Sequence, residues 1–384
     1  MNKALTGEYW QSDRSEIMLN PAMPLEERTR LMQNFTQDTG LQGHVWIATS
    51  GSSGVVKWVA LGKKALLSSA AAVNRHLKAS SKDIWLNALP LFHVGGLSIY
   101  ARSFLSGSKV VSLEGMRWDA QLFIDYLISH HITLTSLVPA QVFDLVLHNQ
   151  SPPSCLRAVV VGGGFLTHSL YFKAIELGWP LLPSYGLTEC ASQVATASLD
   201  SLHTKKFPRL IPLDHVELKA VSGCLSIKSP ALLTTYLVDG QMIDPKDNGW
   251  FQTEDMVNEQ DLDRRALSEV KRNIHFVKVG GESVDCVRLD EILQKAALSL
   301  KINADAAIFA YPHERLGHVI HLAVAGEETS IGGQIKELVD QFAKEVLPFE
   351  KIRQVHFIKE IPRESIKVNR KRVLEIVLEG RHGV

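Results

Sequence analysis

The sequence predicts an α/β fold: a large first part with parallel sheets, then a small β-rich subdomain and a small α+β domain. From His44 to about Val216, short apolar runs alternate with segments whose apolar residues recur at helical spacing. Strands separated by helices are typical of parallel sheets. After Ile211 the pattern changes to alternating stretches with frequent glycines. A chain of 384 residues is long enough for two or three domains.

The individual elements follow from these patterns in chain order. A short leader contains an amphipathic helix that begins at residues 24–27, with Leu25, Leu31, Met32 and Phe35 on roughly one face. The main region has predicted strands at 83–87, 108–112, 133–138 and 158–161 and helices at 118–130 and 141–147. The β-rich subdomain after Ile211 has a predicted strand at 223–228. The last part has predicted helices at 287–299 and 333–346 and strands at 306–309 and 355–358.

Composition excludes several classes of protein. Lysine plus arginine and aspartate plus glutamate both total 41, so the formal net charge is zero and no basic field attracts a nucleic acid. The 4 cysteines occur without a CxxC pair, which argues against a zinc site or a disulfide framework and favours buried thiols in a reducing compartment. Residues 1–20 are polar, and no apolar run approaches the length of a membrane span. We therefore expect a cytoplasmic protein with no nucleic-acid or membrane partner.

The stretch 47–57, with the sequence IATSGSSGVVK, has the residue types of a phosphate-binding loop. Glycines let the backbone approach an anion closely, hydroxyls and N–H groups donate hydrogen bonds to it, and a lysine supplies positive charge. The spacing is not that of a Walker P-loop, because Gly51 and Gly54 are close together and Trp58 follows Lys57. A Ser/Gly-rich surface turn between two strands is the alternative interpretation.

Further motifs follow in a fixed order. They are 184–189 (SYGLTE) with Ser192 and Gln193, 249–255 (GWFQTED), 271–272 (KR), 280–282 (GGE), and 362–363 (PR) with Lys367 and Arg370. Together with the first loop, this series resembles the adenylate-forming superfamily of acyl-CoA synthetases, luciferases and peptide-synthetase adenylation domains, which activate carboxylic acids with ATP. The resemblance extends from about His44 to the C-terminus.

The resemblance implies a domain organisation and a set of ligands. Residues 1–271 would form a large N-terminal domain of parallel α/β sheets with a small β-barrel-like subdomain, and residues 272–384 a mobile α+β C-terminal domain. The ligands would be ATP, Mg²⁺, a small-molecule carboxylic acid, and CoA as co-substrate. A homodimer is compatible with this organisation.

The resemblance also assigns residues to the nucleotide. The β- and γ-phosphates would be bound by the first loop, namely Thr49, Ser50, Gly51, Ser52, Ser53, Gly54 and Lys57. Glu189 would hold Mg²⁺, and Thr188 would donate to the α-phosphate. Adenine would lie between Tyr185 and the glycines Gly163 and Gly164, while Asp255 and Arg272 would bind the ribose. Lys367 would be the catalytic lysine that bridges the substrate carboxylate and the α-phosphate.

Without the resemblance, each of these assignments has a simpler alternative. The run of glycines at 162–164 would be a strand-to-helix turn. Asp255 would be a turn residue after Gly-Trp-Phe. Lys367 would be a solvated lysine within a basic segment.

The segment 89–98 (LPLFHVGGLS) and the later Arg102 resemble the branch of acid:CoA ligases that act on o-succinylbenzoate. This substrate carries a second carboxylate that is not activated, and Arg102 is its expected partner. His93 would line or gate the acyl pocket, although a lone histidine on an apolar segment is more often a core residue. The remaining expected contacts to the acid are Gly186, Ser192 and Gln193, and those to CoA are Gly280, Gly281 and Lys278.

Some positions depart from the superfamily pattern. They are Ile366 before the catalytic lysine, Ile274 at the hinge, Glu254 in place of a glycine, and a phosphate loop that begins at residue 49, much earlier than in typical members. Two alternatives stay open, and the departures motivate the second of them. The first is an adenylating enzyme for another aryl or acyl acid, including one that loads a carrier protein, and the second is a degenerate nucleotide-binding protein.

Overall fold

The structure is a computed structural model. It describes residues 5, 7–21, 25–33, 35, 39–50, 56–164, 166–268, 270–272, 276–279, 282–313, 316–364 and 367–379. The chain divides into two compact units, the first formed by Met1–Leu166 and Tyr171–Val270 and the second by Thr167–Leu170 and Lys271–Val384. A mobile C-terminal domain that begins at residue 272 stays a prediction.

The helices are short and none of those described is long and apolar enough to cross a membrane. They are α1 (Gly7–Gln11), α2 (Leu25–Gln33), α3 (Lys63–Leu77), α4 (Val94–Ser106), α5 (Ala120–Ser129), α6 (Pro139–Leu147), α7 (His168–Glu176), α8 (Glu259–Asp263), α9 (Cys286–Leu300), α10 (Glu328–Phe342) and α11 (Arg370–Glu379).

The strands of the first part of the chain are β1 (Glu16–Met18), β2 (His44–Ser50), β3 (Val56–Gly62), β4 (Ile84–Asn87), β5 (Lys109–Ser112), β6 (Leu134–Leu137), β7 (Ala158–Val161), β8 (Leu181–Leu187) and β9 (Ser192–Thr196). They are followed by β10 (Ile211–Pro212), β11 (Glu217–Val221), β12 (Cys224–Lys228), β13 (Thr235–Val238), β14 (Gln241–Ile243), β15 (Lys246–Asp247), β16 (Trp250–Val257) and β17 (Val270–Arg272). The last strands are β18 (Phe276–Val279), β19 (Glu282–Asp285), β20 (Ala306–His313), β21 (Gly317–Ala325), β22 (Gln354–Ile358), β23 (Arg363–Glu364) and β24 (Lys367–Val368).

The predicted α/β fold is confirmed by the largest sheet of the first unit. Its strand order is β10-β9-β8-β7-β6-β4-β5, and the pairs from β5 to β8 are all parallel. Strands β6 and β7 are buried along their whole length, because a sheet covered by helices on its faces needs apolar residues on both sides. The carboxyl ends of the parallel strands therefore meet at one edge, which is where open α/β sheets bind ligands.

The predicted β-rich region is divided between two further sheets. One is the antiparallel series β11-β12-β16-β15, and the other has the order β1-β2-β3-β13-β14. In the second sheet β13 pairs with β3, with Tyr236 opposite Val59. A strand from late in the first unit is therefore hydrogen-bonded beside the strand that contains Lys57.

Local sequence explains where several helices begin. The Asp119 side chain caps α5 by accepting a hydrogen bond of 2.7 Å from the Leu122 N–H. Pro139 occupies the first turn of α6, where its missing N–H is not needed. The leader helix α2 forms as predicted, but its predicted apolar face is partly wrong. Leu31 is buried, whereas Leu25 is 78% exposed.

The second unit contains an antiparallel sheet, β19-β18-β21-β20, to which β22 adds in parallel beside β21. Helix α9 is capped by Asp285, whose carboxylate accepts from the Val287 N–H at 2.9 Å. Helix α10 begins five residues before the predicted start at Gly333, because that glycine lies within the helix and does not end it. Arg370, at the start of α11, donates to the Ile308 carbonyl and to Asp290.

Candidate active site

The motif at 184–189 forms a tight hairpin at the edge of the large sheet. Strand β8 ends at Leu187, a 3₁₀ turn covers Thr188–Cys190, and β9 begins at Ser192. Gly186 is required here, since a Cβ at this position would lie 1.9 Å from the Ser192 carbonyl oxygen. Ser192 itself has a φ of 107°, a strained value for a residue with a side chain. Backbone strain of this kind is typical of functional sites.

One side of the hairpin contacts strand β16 of the β-rich region. The Tyr185 hydroxyl donates to Asp255 Oδ2 at 2.6 Å. Asp255 is buried within β16 and its N–H donates to Thr253 Oγ1 at 3.1 Å. The alternative in which Asp255 is a turn residue is therefore wrong, because the residue lies inside a strand. The two positions predicted to bind adenine and ribose are in direct contact.

The glycine run leaves the sheet beside this hairpin. It follows β7, which pairs with β8 so that Val161 lies opposite Pro183. A Cβ on Gly162 would lie 2.8 Å from Ser184 Oγ, and Gly163 has a φ of +76°, which disfavours other residues. The strand-to-helix turn and the predicted adenine wall are therefore the same segment, and only small residues fit it.

A second group of side chains surrounds Glu189. The Tyr236 hydroxyl donates to Glu189 Oε1 at 2.8 Å, and Lys57 Nζ lies 5.5 Å from the centroid of the Tyr236 ring. The backbone of Glu189 is fixed as well, since its carbonyl accepts from the Leu233 N–H at 2.7 Å. On the neighbouring strand, Thr49 lies opposite Lys57 in register. Tyr236 thus contacts both the Glu189 carboxylate and the Lys57 ammonium group.

Arg102 on α4 is the most deeply buried charged group of the site, with 1% of its surface exposed. Its Nη2 lies 2.9 Å from Ser98 Oγ and 3.5 Å from Ser192 Oγ, and its Nη1 lies 3.5 Å from Ser136 Oγ. The guanidinium carbon is 5.3 Å from the centroid of the Trp85 ring. Burial lowers the pKa of Arg102 to about 9. No carboxylate pairs with this guanidinium within the described residues, and its Nε has no hydrogen-bond partner there.

His93 immediately precedes α4, and its ring lies 4.4 Å from that of Phe92, measured between centroids. Burial lowers the pKa of His93 to about 4, so the imidazole is neutral at physiological pH. Gln193 is also buried, and its Oε1 accepts from the Thr196 hydroxyl at 2.6 Å. Its amide nitrogen has no partner in the part of the chain that the structure describes.

Other predicted site residues can be placed less fully. Gly51, Ser52, Ser53, Gly54, Gly280 and Gly281 lie outside the described residues, as do Ile274 and Ile366. For Ser50, Arg272, Lys278 and Lys367 only the backbone is described, in β2, β17, β18 and β24. The last three of these belong to the second unit. Their roles in the site stay predictions.

Sequence reasoning missed several contributors to the site. Tyr236, Trp85, Ser98 and Ser136 are absent from the predicted set. Ser98 lies one helical turn before Arg102, a spacing that indicates contact between the two side chains. Tyr236 belongs to none of the sequence motifs. Its position near Lys57 follows from the pairing of β13 with β3.

The carboxylates of the site do not form a preassembled metal cage. Among the described residues there is no group of three or more His, Cys, Asp or Glu side chains that could hold a metal ion. Glu189 is therefore a single carboxylate that accepts a hydrogen bond from the Tyr236 hydroxyl. This arrangement fits Mg²⁺, which commonly binds through one or two carboxylates together with substrate phosphates.

The chain is similar to known enzymes in sequence and in fold. Residues 41–225 match the family model described as AMP-binding enzyme. The 2-succinylbenzoate–CoA ligase of Bacillus cereus is 26% identical over 381 residues, which cover 95% of this chain and 75% of that protein. The ligase of the same name from Bacillus cytotoxicus is 28% identical over 349 residues, covering 87% of this chain and 70% of that protein.

Solved structures show the same fold. The o-succinylbenzoate CoA synthetase of Bacillus subtilis, in complex with the acyl-adenylate intermediate OSB-AMP, matches with a TM-score of 0.69 and 24% identity over 86% of this chain and 68% of that chain. A variant of Escherichia coli MenE with bound OSB-AMS matches with a TM-score of 0.70 and 20% identity over 95% of this chain and 88% of that chain. Residues 41–225 therefore resemble an AMP-binding enzyme, and the chain has the fold of these synthetases.

Proposed function

We propose that this protein is an ATP-dependent acid:CoA ligase that converts o-succinylbenzoate to o-succinylbenzoyl-CoA. The ligases and synthetases named above support the reaction class and the acid. The observation that carries the choice of acid is Arg102, a buried guanidinium with no carboxylate partner in the described part of the chain. A buried charge without a partner is costly, so a ligand that supplies the opposite charge binds there favourably.

The reaction has two half-reactions. In the first, a carboxylate oxygen of the acid attacks the α-phosphorus of ATP, the bond to pyrophosphate breaks, and an acyl-adenylate forms. In the second, the CoA thiol attacks the acyl carbon, the thiol proton is lost, and AMP leaves. Both steps develop negative charge on oxygen, which fixed donors and cations at the site stabilise.

The described residues suit the nucleotide end of this reaction. Tyr185 and Asp255 form a joined pair for the adenosine, with the ring for adenine and the carboxylate for the ribose hydroxyls. Thr49 and Lys57 lie on paired strands at the two ends of the phosphate loop. Thr188 in the 3₁₀ turn would donate to the α-phosphate. Glu189 would hold Mg²⁺, which neutralises phosphate charge, while Tyr236 fixes the orientation of that carboxylate.

The acyl end is defined by Arg102 and the groups around it. The distal carboxylate of the diacid would accept hydrogen bonds from the guanidinium, and Ser98, Ser136 and Ser192 would complete its surroundings. His93, neutral at physiological pH, would line the pocket without adding charge. Gly186 and Gln193 would shape the same pocket from the hairpin.

The second unit would provide the remaining groups. Lys367 would bridge the reacting carboxylate and the α-phosphate, and Arg272 would join Asp255 at the ribose. Gly280, Gly281 and Lys278 would contact CoA in the second half-reaction. We also infer a role in menaquinone biosynthesis and a cytoplasmic location, the latter in keeping with the free cysteines Cys155, Cys190, Cys224 and Cys286. A homodimer stays a prediction.

The test is ATP-dependent thioester formation from o-succinylbenzoate and CoA, with benzoate and a medium-chain fatty acid as competing acids. Arg102→Ala should lower kcat/KM for the diacid by about 30-fold or more, because the distal carboxylate loses its cation. Arg75→Ala is a matched control, since Arg75 forms an exposed ion pair with Asp214. Pyrophosphate release without CoA consumption would favour carrier loading. Absence of pyrophosphate release with every acid, despite ATP binding, would leave a nucleotide-binding protein.

A further inference from the structure

Asn87, the last residue of β4, has a buried side-chain amide whose oxygen and nitrogen differ in hydrogen bonding. Its side chain is 1% exposed, and its Oδ1 accepts a hydrogen bond of 3.1 Å from the Leu89 N–H. The other half of the amide, Nδ2, is buried without a hydrogen-bond partner among the residues that the structure describes. A buried donor without an acceptor is destabilising, so this N–H₂ group calls for an explanation.

The position of Asn87 relates it to Arg102. Trp85 lies two residues earlier on the same strand, so both side chains are on one face of the sheet. The Trp85 ring is the one that faces the Arg102 guanidinium. The neighbouring strand β6 places Ser136 directly opposite Asn87, and Ser136 Oγ is the atom within 3.5 Å of Arg102 Nη1. Asn87, Ser136 and Arg102 therefore share one face at the carboxyl ends of two parallel strands.

These groups are all able to donate hydrogen bonds. Asn87 Nδ2 and Arg102 Nε are both N–H donors with no acceptor in the described residues, and the Ser136 hydroxyl is able to donate as well. No acidic side chain pairs with Arg102 within the described residues to serve as the missing acceptor. The group that satisfies several converging donors and one positive charge is a carboxylate, which has two oxygens and about four lone-pair sites.

We propose that Asn87 is a specificity-determining residue that donates, together with Arg102, to the carboxylate of the substrate that is not activated. This inference rests on the proposed function, because it concerns the distal group of the same diacid. Arg102 supplies the charge, and Asn87 supplies a second, neutral donor with a fixed direction. The site thereby selects an acid that carries a second hydrogen-bond acceptor away from its reacting carboxylate. An acid with an apolar end leaves the Asn87 donor without a hydrogen bond.

The sharpest test is Asn87→Asp, because it retains an oxygen for the Leu89 N–H and replaces only the unpaired nitrogen by oxygen. The KM for o-succinylbenzoate should rise by about 10-fold or more, since a hydrogen bond to a charged group is lost and a like charge is added. The KM for ATP should stay within about twofold of the native value. Asn248→Asp, in an exposed turn, introduces the same charge away from the site and should change neither constant.

A second variant distinguishes the loss of the amide donor from the addition of a negative charge. Asn87→Leu removes the amide without adding an anion, and it should also weaken diacid binding while sparing ATP. Binding of the diacid in the absence of ATP is measured as the rise in the midpoint of thermal unfolding. This result does not depend on turnover. If either folded variant binds the diacid as the native protein does, the inference fails while the proposed function stands. If the native protein neither binds nor converts the diacid, both fail.

Discussion

The hydroxyl of Tyr236 donates to Glu189 Oε1 at 2.8 Å, which joins a strand of the β-rich region to the end of the SYGLTE motif. The same ring faces Lys57 Nζ. One tyrosine therefore contacts both the carboxylate proposed to hold Mg²⁺ and the lysine proposed to bind phosphate. Its contribution is testable because Phe retains the ring and removes only the hydroxyl.

In Tyr236→Phe, the Mg²⁺ concentration for half-maximal pyrophosphate release should rise by about 10-fold, because Glu189 loses the hydrogen bond that orients it. Mg²⁺ titration at saturating ATP and acid measures the change. Tyr126→Phe is the control, since the exposed Tyr126 hydroxyl donates to the Met116 sulfur at 3.8 Å. An unchanged Mg²⁺ requirement would remove Tyr236 from the proposed site.

The hydrogen bond of 2.6 Å from the Tyr185 hydroxyl to the Asp255 carboxylate gives a second prediction. Tyr185→Phe should raise the KM for ATP by about 10-fold, because Asp255 loses a charge-assisted hydrogen bond and is less well placed for the ribose. The KM for the acid should change little. Steady-state kinetics with each substrate varied in turn distinguish the two, and an equal rise in both constants would point to a general loss of structure instead.

Gly186 should not tolerate a side chain. In Gly186→Ala the new Cβ would lie 1.9 Å from the Ser192 carbonyl oxygen, so the hairpin backbone must move. We expect a loss of about 3 kcal/mol in the free energy of unfolding, measured by urea denaturation. Gly62→Ala is the control, because its Cβ would meet only His44 Nε2 at an ordinary 3.7 Å. Equal effects of the two substitutions would contradict the prediction.

Two buried histidines predict how stability depends on pH. Burial lowers the pKa of His93 and of His215 to about 4, below the value of 6.5 that an exposed histidine has. Between these two pH values the unfolded chain binds more protons, so the free energy of unfolding should fall as pH decreases from about 6.5 to 4. Above pH 6.5 these two rings do not make the free energy of unfolding depend on pH. Urea unfolding at several pH values measures this, and His215→Leu should reduce the slope below pH 6.5.

The fold was predictable where local patterns are strong. Strands β4 to β7 lie within a residue or two of their predicted positions. For β6 and β7 the reason is that strands buried on both faces have nearly continuous apolar runs. The leader helix was predicted, but the orientation of Leu25 was not, since a helix of 9 residues leaves its buried face to tertiary packing. The start of α10 was predicted at Gly333, five residues later than the observed start at Glu328.

The site was predictable only where a motif marks it. Tyr185, Glu189 and Asp255 belong to short motifs, and the structure places Tyr185 and Asp255 in contact. Tyr236 was missed because its role depends on strand pairing across a long stretch of chain. Asn87 was missed for a different reason, because its significance lies in a donor that is left without an acceptor, and a sequence does not show hydrogen bonding.

The pairing of β13 with β3 also has a consequence for folding. The segment that matches the family model ends at residue 225, before β13 begins at Thr235. A fragment cut at that point would leave β3 as an open edge with Trp58, Val59 and Ala60, all buried in the whole protein. Unpaired apolar edges associate with other chains. The nascent protein must therefore emerge well beyond the recognised domain before this edge is covered, which makes chaperone protection during synthesis valuable.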